Sequence, residues 1–504
     1  MNMTKDPLAD KSLREIVERA ESVQRFVVEA VGAGRSLYDI ERGVLDQVLL
    51  IGRRAIDAAL QLQGDGDVGQ IQPTADGREL RRSEQAAPRR LRTIFGEHEF
   101  RQYEYSRGAH RAIELRPIDA RLGLSPRIGS YLLEEFTQLF CVETAFGQAA
   151  RNFATVFRQK VPVDTLEAIS RRMGAAAKTY ADEMPRLPAA AEGELLVATM
   201  DGKGVPLIQE HAAPVKAFET RRLRPGNRRM ATLGGVYSVD RHERTPEEIV
   251  AALFRDEPPT ESCGRPEPRG KHLTVHFPEI YDDGEEQVTS TGAIEACCWL
   301  SSEVTSRRRS EQPLLLLIDG DHRLWETAAD HLPADRVEIL DIVHVSAYVW
   351  EAAGVLCAGP QEREAFTRTR LLTILHGGAK SVIRGLRQMA TARGLRGDSR
   401  RQIATITNYL AAHVERLQYD DYLAAGYPIA TGVIEGACRH LVKDRMERSG
   451  MRWTLDGAKA VLNLRAVIAS GHWEEFQVNR RHQEVEKFHP HRTAFQDYQP
   501  RVAL

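Results

Sequence analysis

Four carboxylates in this chain stand where residue type and spacing could do chemistry. Asp201, Asp319 and Asp341 each close a short apolar run: Leu195-Leu196-Val197-Ala198-Thr199-Met200, Leu314-Leu315-Leu316-Leu317-Ile318, and Val337-Glu338-Ile339-Leu340. Clustered carboxylates without a supporting Cys/His set select hard, oxygen-loving Mg²⁺ or Mn²⁺. Two such ions roughly 4 Å apart would activate a water or sugar hydroxyl and stabilise the leaving oxygen in phosphodiester cleavage. One strand Asp per ion plus a bridging Asp leaves a ligand missing, and Glu435, in Thr431-Gly432-Val433-Ile434-Glu435-Gly436-Ala437-Cys438-Arg439-His440-Leu441-Val442-Lys443, is the candidate to supply it. Zinc is the weaker option, since the chain has no C-x-x-C pair and no H-E-x-x-H. It also lacks the G-x-S-x-G of a nucleophilic serine and the P-loop that cradles phosphates.

Strands must position the three aspartates. Leu314 to Ile318, apolar on both faces, reads as a central strand covered on both sides, and a carboxylate at its end sits at the rim of the sheet, where open α/β folds keep their sites. A helix must carry Glu435. Helical spacing puts Ile434, Cys438 and Leu441 on a buried stripe and Glu435, Arg439 and Lys443 on another face. Glu435 then reads in two ways, as a ligand turned to the sheet or as an i,i+4 surface partner of Arg439. Gly432 and Gly436 each weaken a helix by roughly 1 kcal/mol, and close approach of a DNA backbone would explain them. Arg221, Arg222, Arg224, Arg228 and Arg229, soon after Asp201, are more guanidiniums than a solvated loop needs and point to phosphate contact.

At 504 residues the chain exceeds what a single core serves, so several domains are expected. Net charge is only −2, so a nucleic-acid surface must come from local clustering. The 6 cysteines follow no repeated spacing, the profile of a reducing compartment. No run approaches the ~18 apolar residues of a membrane span, which predicts no membrane partner. Composition and periodicity divide the chain into a helical region (1–75), a small β module (76–120), a helical, helix-turn-helix-like region (121–190), an α/β core (191–357), an all-helical insertion (358–430), the helix of Glu435 and its continuation (431–470), and a tail (471–504).

Three local readings accompany this division. Gly64-Asp65-Gly66-Asp67-Val68-Gly69 matches G-x-G-x-x-G, but its aspartates would repel a phosphate, and it reads as a linker. Arg89, Arg90, Arg92, Arg101, Arg107 and Arg111 in the β module form either a solvated face or a phosphate-contacting one. Segments 144–156 and 163–180 would make the helix-turn-helix, with Thr165, Arg171, Arg172 and Lys178 toward DNA, and 256–286 reads as a long loop.

The chain resembles the DDE transposases of bacterial insertion sequences, specifically the ISKra-four family, which is similar to the Mutator-like group. The resemblance is carried by Met200-Asp201-Gly202-Lys203-Gly204-Val205, Arg229-Met230-Ala231-Thr232, Ile318-Asp319-Gly320, Asp341-Ile342-Val343-His344, and Ile429 through Arg439. It implies an RNase H-like catalytic core with an all-helical insertion, preceded by helical and small β DNA-binding modules. Asp201, Asp319 and Glu435 are then the metal-binding triad for Mg²⁺ or Mn²⁺, with two ions expected, and Asp341 and His344 match the D-x-x-H element. Many relatives carry a zinc knuckle where this chain has Tyr103-Glu104-Tyr105-Ser106, so no structural zinc is expected. The implied function is a cytoplasmic, nucleoid-associated bacterial transposase. It would bind terminal inverted repeats and target DNA, cleave and join strands, and act as a homo-oligomer, with Arg439 and Lys443 joining the loop arginines on DNA. A domesticated DNA-binding descendant and an RNase H-type nuclease are the competing functions.

Overall fold

The computed structural model of the chain describes residues 7–74, 76–108, 111–212, 215–216, 223–224, 226–256, 265–282 and 287–492. It forms two compact units, one of residues 1–172 with 474–504 and one of residues 173–473.

In the first unit, helices α1 (Pro7–Gly32) and α2 (Leu37–Gln61) form a hairpin that leaves Val17, Val28, Val31, Leu37 and Val48 exposed. Next comes the β module: β1 (Ile71–Pro73), β2 (Glu79–Arg82), β3 (Ala87–Thr93), β4 (Gly96–Gln102), β5 (Tyr105–Ser106) and β6 (Ile113–Leu115). Strand β3 pairs with β4 alone, and the other four make a sheet in the order β1-β2-β5-β6. Tyr105 occupies the core position with Leu80 and Leu115, its hydroxyl accepting from Val68 N at 2.9 Å and donating to Gly69 O at 3.0 Å. In the glycine-rich linker, Asp65 and Asp67 accept the backbone N–H groups of Asp67 and Gly69, so those donors are spent internally.

Helices α3 (Pro117–Leu122), α4 (Tyr131–Glu143), α5 (Phe146–Phe157) and α6 (Val163–Glu183) follow, the division between the units falling within α6. Glu134 of α4 is buried between Arg172 and Arg480, its contact to the latter 2.9 Å. Each of the α6 cations read toward DNA has an acidic neighbour. Arg172 is tied to Glu134, Arg171 lies 3.7 Å from Glu167, and Lys178 lies 3.3 Å from Glu279. The β-module arginines are likewise engaged: Arg89 with Asp119, Arg90 with Glu99, Arg92 with Glu97 and Arg107 with Glu114. The acids of Arg89 and Arg172 lie too far along the chain for local patterning to reveal the pairing, whereas Glu167 is one helical turn from Arg171, and Glu97 and Glu99 face Arg92 and Arg90 across the β3–β4 hairpin.

The second unit is built on strands β7 (Leu195–Pro206), β8 (Val215–Lys216), β9 (Leu223–Arg224), β10 (Arg228–Val239), β11 (Arg269–His276), β12 (Glu279–Asp282), β13 (Gln287–Ser290), β14 (Leu314–Ile318) and β15 (Val337–Leu340). Five of them make one mixed sheet in the order β11-β10-β7-β14-β15, antiparallel from β11 to β7 and parallel from β7 to β15. Two features differ from expectation. Strand β11 lies inside the segment read as a loop, because its Leu273/Val275 alternation is short and flanked by Pro, Glu and Asp. Strand β7 runs on through Asp201 to Pro206, because Gly202 to Pro206 pair with β10 after β14 has ended.

Helix α7 (Pro246–Phe254) opens on a capping box at Thr245, and α8 (Gly292–Arg307) covers one face of the sheet, with Gly234 leaving room for Trp299 and Leu300. Beyond β14 come α9 (His322–His331), α10 (Ile342–Leu356), α11 (Pro360–Leu375), α12 (Ala379–Ala392), α13 (Gly397–Ala412) and α14 (Tyr419–Ala424). The chain then re-enters the sheet region through α15 (Gly432–Ala437), a π-helical turn at Cys438–Lys443, α16 (Asp444–Met446) and α17 (Leu455–Ala469); α18 (Trp473–Phe488) follows and belongs to the first unit from Glu474 on. Among the described residues no helix is long and apolar enough to cross a membrane.

Candidate functional site

Strand register brings the aspartates together. Strand β14 pairs with β7 as Leu314↔Leu196, Leu315↔Val197 and Leu316↔Ala198, a constant offset of 118. Carried three residues on, that offset sets Asp319 level with Asp201 (319 − 201 = 118), and Thr199 Oγ1 donating to Leu317 O at 2.7 Å holds the same register. Strand β15 follows β14 at an offset of 22, from Leu315↔Val337 to Ile318↔Leu340, which sets Asp341 level with Asp319 (341 − 319 = 22). Residues level on neighbouring strands share a face. It is the face opposite α8, because Met200, pointing the other way, lies 3.5 Å from Cys297 of that helix.

The three carboxylates differ in environment. Asp341 is fully buried and accepts four hydrogen bonds: Val343 N at 3.1 Å and Thr431 N at 3.2 Å on Oδ1, His344 Nδ1 at 2.7 Å and Thr431 Oγ1 at 2.8 Å on Oδ2. Its lone pairs are turned inward, so it caps α10, orients His344 and pins Thr431, the residue from which α15 starts. Asp319 accepts from Asp321 N at 3.0 Å. Burial holds the Asp319 carboxyl above the ordinary carboxylate range, and the Asp201 charge raises it further, against the opposing pull of the Asp321 N–H and His344. His344 is shifted upward, first by its bond to Asp341 and also by the Asp319 and Asp201 charges. The Cys438 thiol lies beside Asp201, and burial first, then the Asp201 charge, pushes its titration far up.

Glu435 sits on α15, which packs against β7 and β10. Ile434, Cys438 and Leu441 are buried as the helical stripe requires, Val442 is fully buried beside them, and the segment from Cys438 is a π turn. The Glu435 carboxylate is exposed and has no ion-pair or hydrogen-bond partner among the described residues, so the pair with Arg439 is not formed. Arg439 and Lys443 are exposed beside it. Lys203 and Arg229 share the Asp201 face of the sheet, since Lys203 lies two residues beyond Asp201 and Ala231↔Lys203 and Arg229↔Val205 continue the Leu233↔Asp201 row. No acid pairs with Lys203, Arg229, Arg439 or Lys443 among the described residues. Arg228 reaches Glu447 and Gly204 O, Arg224 is described only as part of β9, and Arg221 and Arg222 lie outside the described residues.

A hard divalent cation fits part of this donor set. Two level carboxylates, one raising the proton affinity of the other, are what a cation would relieve. Among the described residues no three His, Cys, Asp or Glu converge enough to enclose an ion, so Asp201 and Asp319 offer two ligands and α15 would have to bring the third. Sequence reasoning missed the Cys438 thiol on Asp201, the anchor at Thr431, and Lys203 as a cation on the carboxylate face. For Lys203 the signal was present, since period-2 spacing from Asp201 puts it there.

No family model matches this chain, and no curated protein matches it. Among solved structures it is similar to the Drosophila P element transposase strand transfer complex, at 10% identity and a TM-score of 0.22, over 70% of this chain and 80% of that one. A score that low does not define a shared fold.

Proposed function

We propose that this chain is a DDE-type transposase, a metal-dependent enzyme that cleaves and joins DNA strands at the ends of an insertion sequence. The observation that carries the reading is the register that sets Asp201 and Asp319 level on adjacent parallel strands. A carboxylate without a partner, Glu435, enters on a helix packed against the same strands. The mixed sheet, interrupted before α15 by the helices from α11 to α14, supports an RNase H-like core with an all-helical insertion.

Asp201 and Asp319 would hold Mg²⁺ or Mn²⁺, with Glu435 completing the set. Ions there supply a Lewis acid to the attacking hydroxyl and the leaving oxygen. The protein's own groups do the rest. Lys203, Arg229, Arg439 and Lys443, free of acids, would neutralise backbone phosphates. His344, fixed through Nδ1 by Asp341 and shifted toward its cationic form, keeps Nε2 to donate to a phosphate oxygen. Asp341 acts as a positioning residue in this reading, which also makes Thr431 one. The apolar residues exposed on the α1–α2 hairpin suit a second copy of the chain, as a protein holding two DNA ends requires.

The test is cleavage of a duplex bearing the repeats that flank the reading frame, by purified protein in Mg²⁺ or Mn²⁺. Wild type should cut it, while Asp201→Asn and Glu435→Gln should bind the duplex nearly normally and cut it at least 100-fold more slowly. Either variant cleaving at the wild-type rate removes that residue from the site. Wild-type protein that binds but never cuts returns the reading to a non-catalytic DNA-binding descendant.

A further inference from the structure

The turn that carries Asp319 is gripped by α9 and by α13 of the helical insertion. Trp325 of α9 donates through Nε1 to Asp319 O at 2.7 Å, and the His413 ring, at the end of α13, lies beside the backbone of Gly320. Tyr409, one helical turn earlier on α13, lies directly over Gly320, where a Cβ would overlap its ring and hydroxyl. The glycine therefore serves as the notch that admits Tyr409. The ring is held from both sides, stacked on Tyr348 of α10 with centroids 4.0 Å apart and edge-on to His413 at 5.1 Å. Tyr348 is itself one turn beyond His344 on α10, so four aromatic rings surround the Asp319 turn.

Within this packed cluster the Tyr409 hydroxyl is buried and has no hydrogen-bond partner among the described residues. Burying a hydroxyl without a partner is destabilising, so the Tyr409 hydroxyl calls for an explanation. The phenol is a neutral donor, because burial and the charges of Asp319 and Asp341 both oppose its ionisation. Of those two acids, Asp341 already has four donors, whereas Asp319 has one among the described residues, on Oδ1.

We propose that Tyr409 is a positioning residue of the acidic site, its hydroxyl the donor reserved for the Asp319 carboxylate when that carboxylate binds a divalent cation. The inference rests on reading Asp201 and Asp319 as cation ligands. It assigns the insertion a task beyond spacing, since α13 then fixes the rotamer of a ligand that β14 alone leaves at the end of a strand. It also explains why position 320 is glycine although its backbone does not lie in the left-handed region.

Tyr409→Phe isolates the hydroxyl, because the ring and its stacking remain. Full-length wild type and variant are compared by thermal melting without metal, by Mn²⁺ titration followed through the electron paramagnetic resonance of free Mn²⁺, and by cleavage kinetics. The variant should melt at or above the wild-type temperature, bind Mn²⁺ at least fivefold more weakly, and lose kcat with KM for DNA unchanged. A purely structural hydroxyl would give the reverse, a lower melting temperature with Mn²⁺ affinity intact. Mn²⁺ affinity within twofold of wild type overturns this proposal and leaves the acidic pair standing. Wild-type protein that binds no Mn²⁺ overturns the cation reading and this proposal with it.

Discussion

Asp341→Asn tests whether one buried carboxylate organises the site. Its four acceptor bonds run to three places, the backbone of α10 at Val343, the His344 ring, and both donors of Thr431. Charge-assisted hydrogen bonds contribute roughly 1.5–3 kcal/mol each and neutral ones about 0.5–1.5. Demoting four by about 1 kcal/mol apiece, less what is regained by burying an amide in place of a charge, gives a net loss of about 3 kcal/mol. For a unit of this size roughly 2–4 °C accompanies each kcal/mol, so the melting temperature should fall by about 6–12 °C. The sign of the histidine effect is fixed too. Asp341 raises His344, so His344 contributes stability below its ordinary value, lost as pH rises through the raised one, and the variant should titrate His344 nearer the ordinary value of about 6.5. Differential scanning calorimetry and ¹³C-histidine NMR read these two outcomes. Below the variant's melting temperature, cleavage should still be slowed at least tenfold, because Thr431 no longer anchors α15. An Asp341→Asn protein melting within about 2 °C of wild type would refute the reasoning, since no carboxylate with four buried donors can be so replaced.

Asp319→Asn should raise the melting temperature of the metal-free protein and abolish the further rise that Mn²⁺ gives wild type. A carboxyl whose folded titration is raised binds more protons folded than unfolded, so wild-type stability falls as pH climbs from the ordinary carboxylate value through the raised one, and the variant should lack that decline. An unchanged pH profile would contradict it. Gly436→Ala meets no atom within 4 Å of the added methyl, so it should stabilise α15 by about 1 kcal/mol. Its DNA affinity should nonetheless fall at least threefold if a phosphate backbone approaches that face; gel-shift titration at fixed salt decides, and undiminished affinity would give the glycine another explanation.

What could be read from the chain alone follows from which interactions are local. Leu314 to Ile318 announces a buried strand because the apolar run is too short for a helix and is bounded by Glu311-Gln312 and Gly320, and the aspartate at its end follows from chain geometry. The offset that sets Asp319 level with Asp201 required the pairing itself. Strand β11 was hidden because its Leu273/Val275 alternation is short and flanked by Pro, Glu and Asp, and the π turn after Cys438 carries no signal in a pattern read at 3.6 residues per turn. Arg89 and Arg172 looked available because Asp119 and Glu134, their partners, are 30 and 38 residues away. Tyr409 carries no spacing signal at all; only the missing Cβ of Gly320 reveals it.

The central claim is that Asp201, Asp319 and Glu435 converge on divalent cations. Anomalous diffraction from crystals of the full chain with Mn²⁺ and a repeat-end duplex addresses it directly. The account predicts an anomalous peak within about 2–2.5 Å of oxygens from both Asp201 and Asp319, with the Glu435 carboxylate swung in to complete the shell. Density without a peak there, or Glu435 still facing solvent more than about 10 Å from both aspartates, would contradict it.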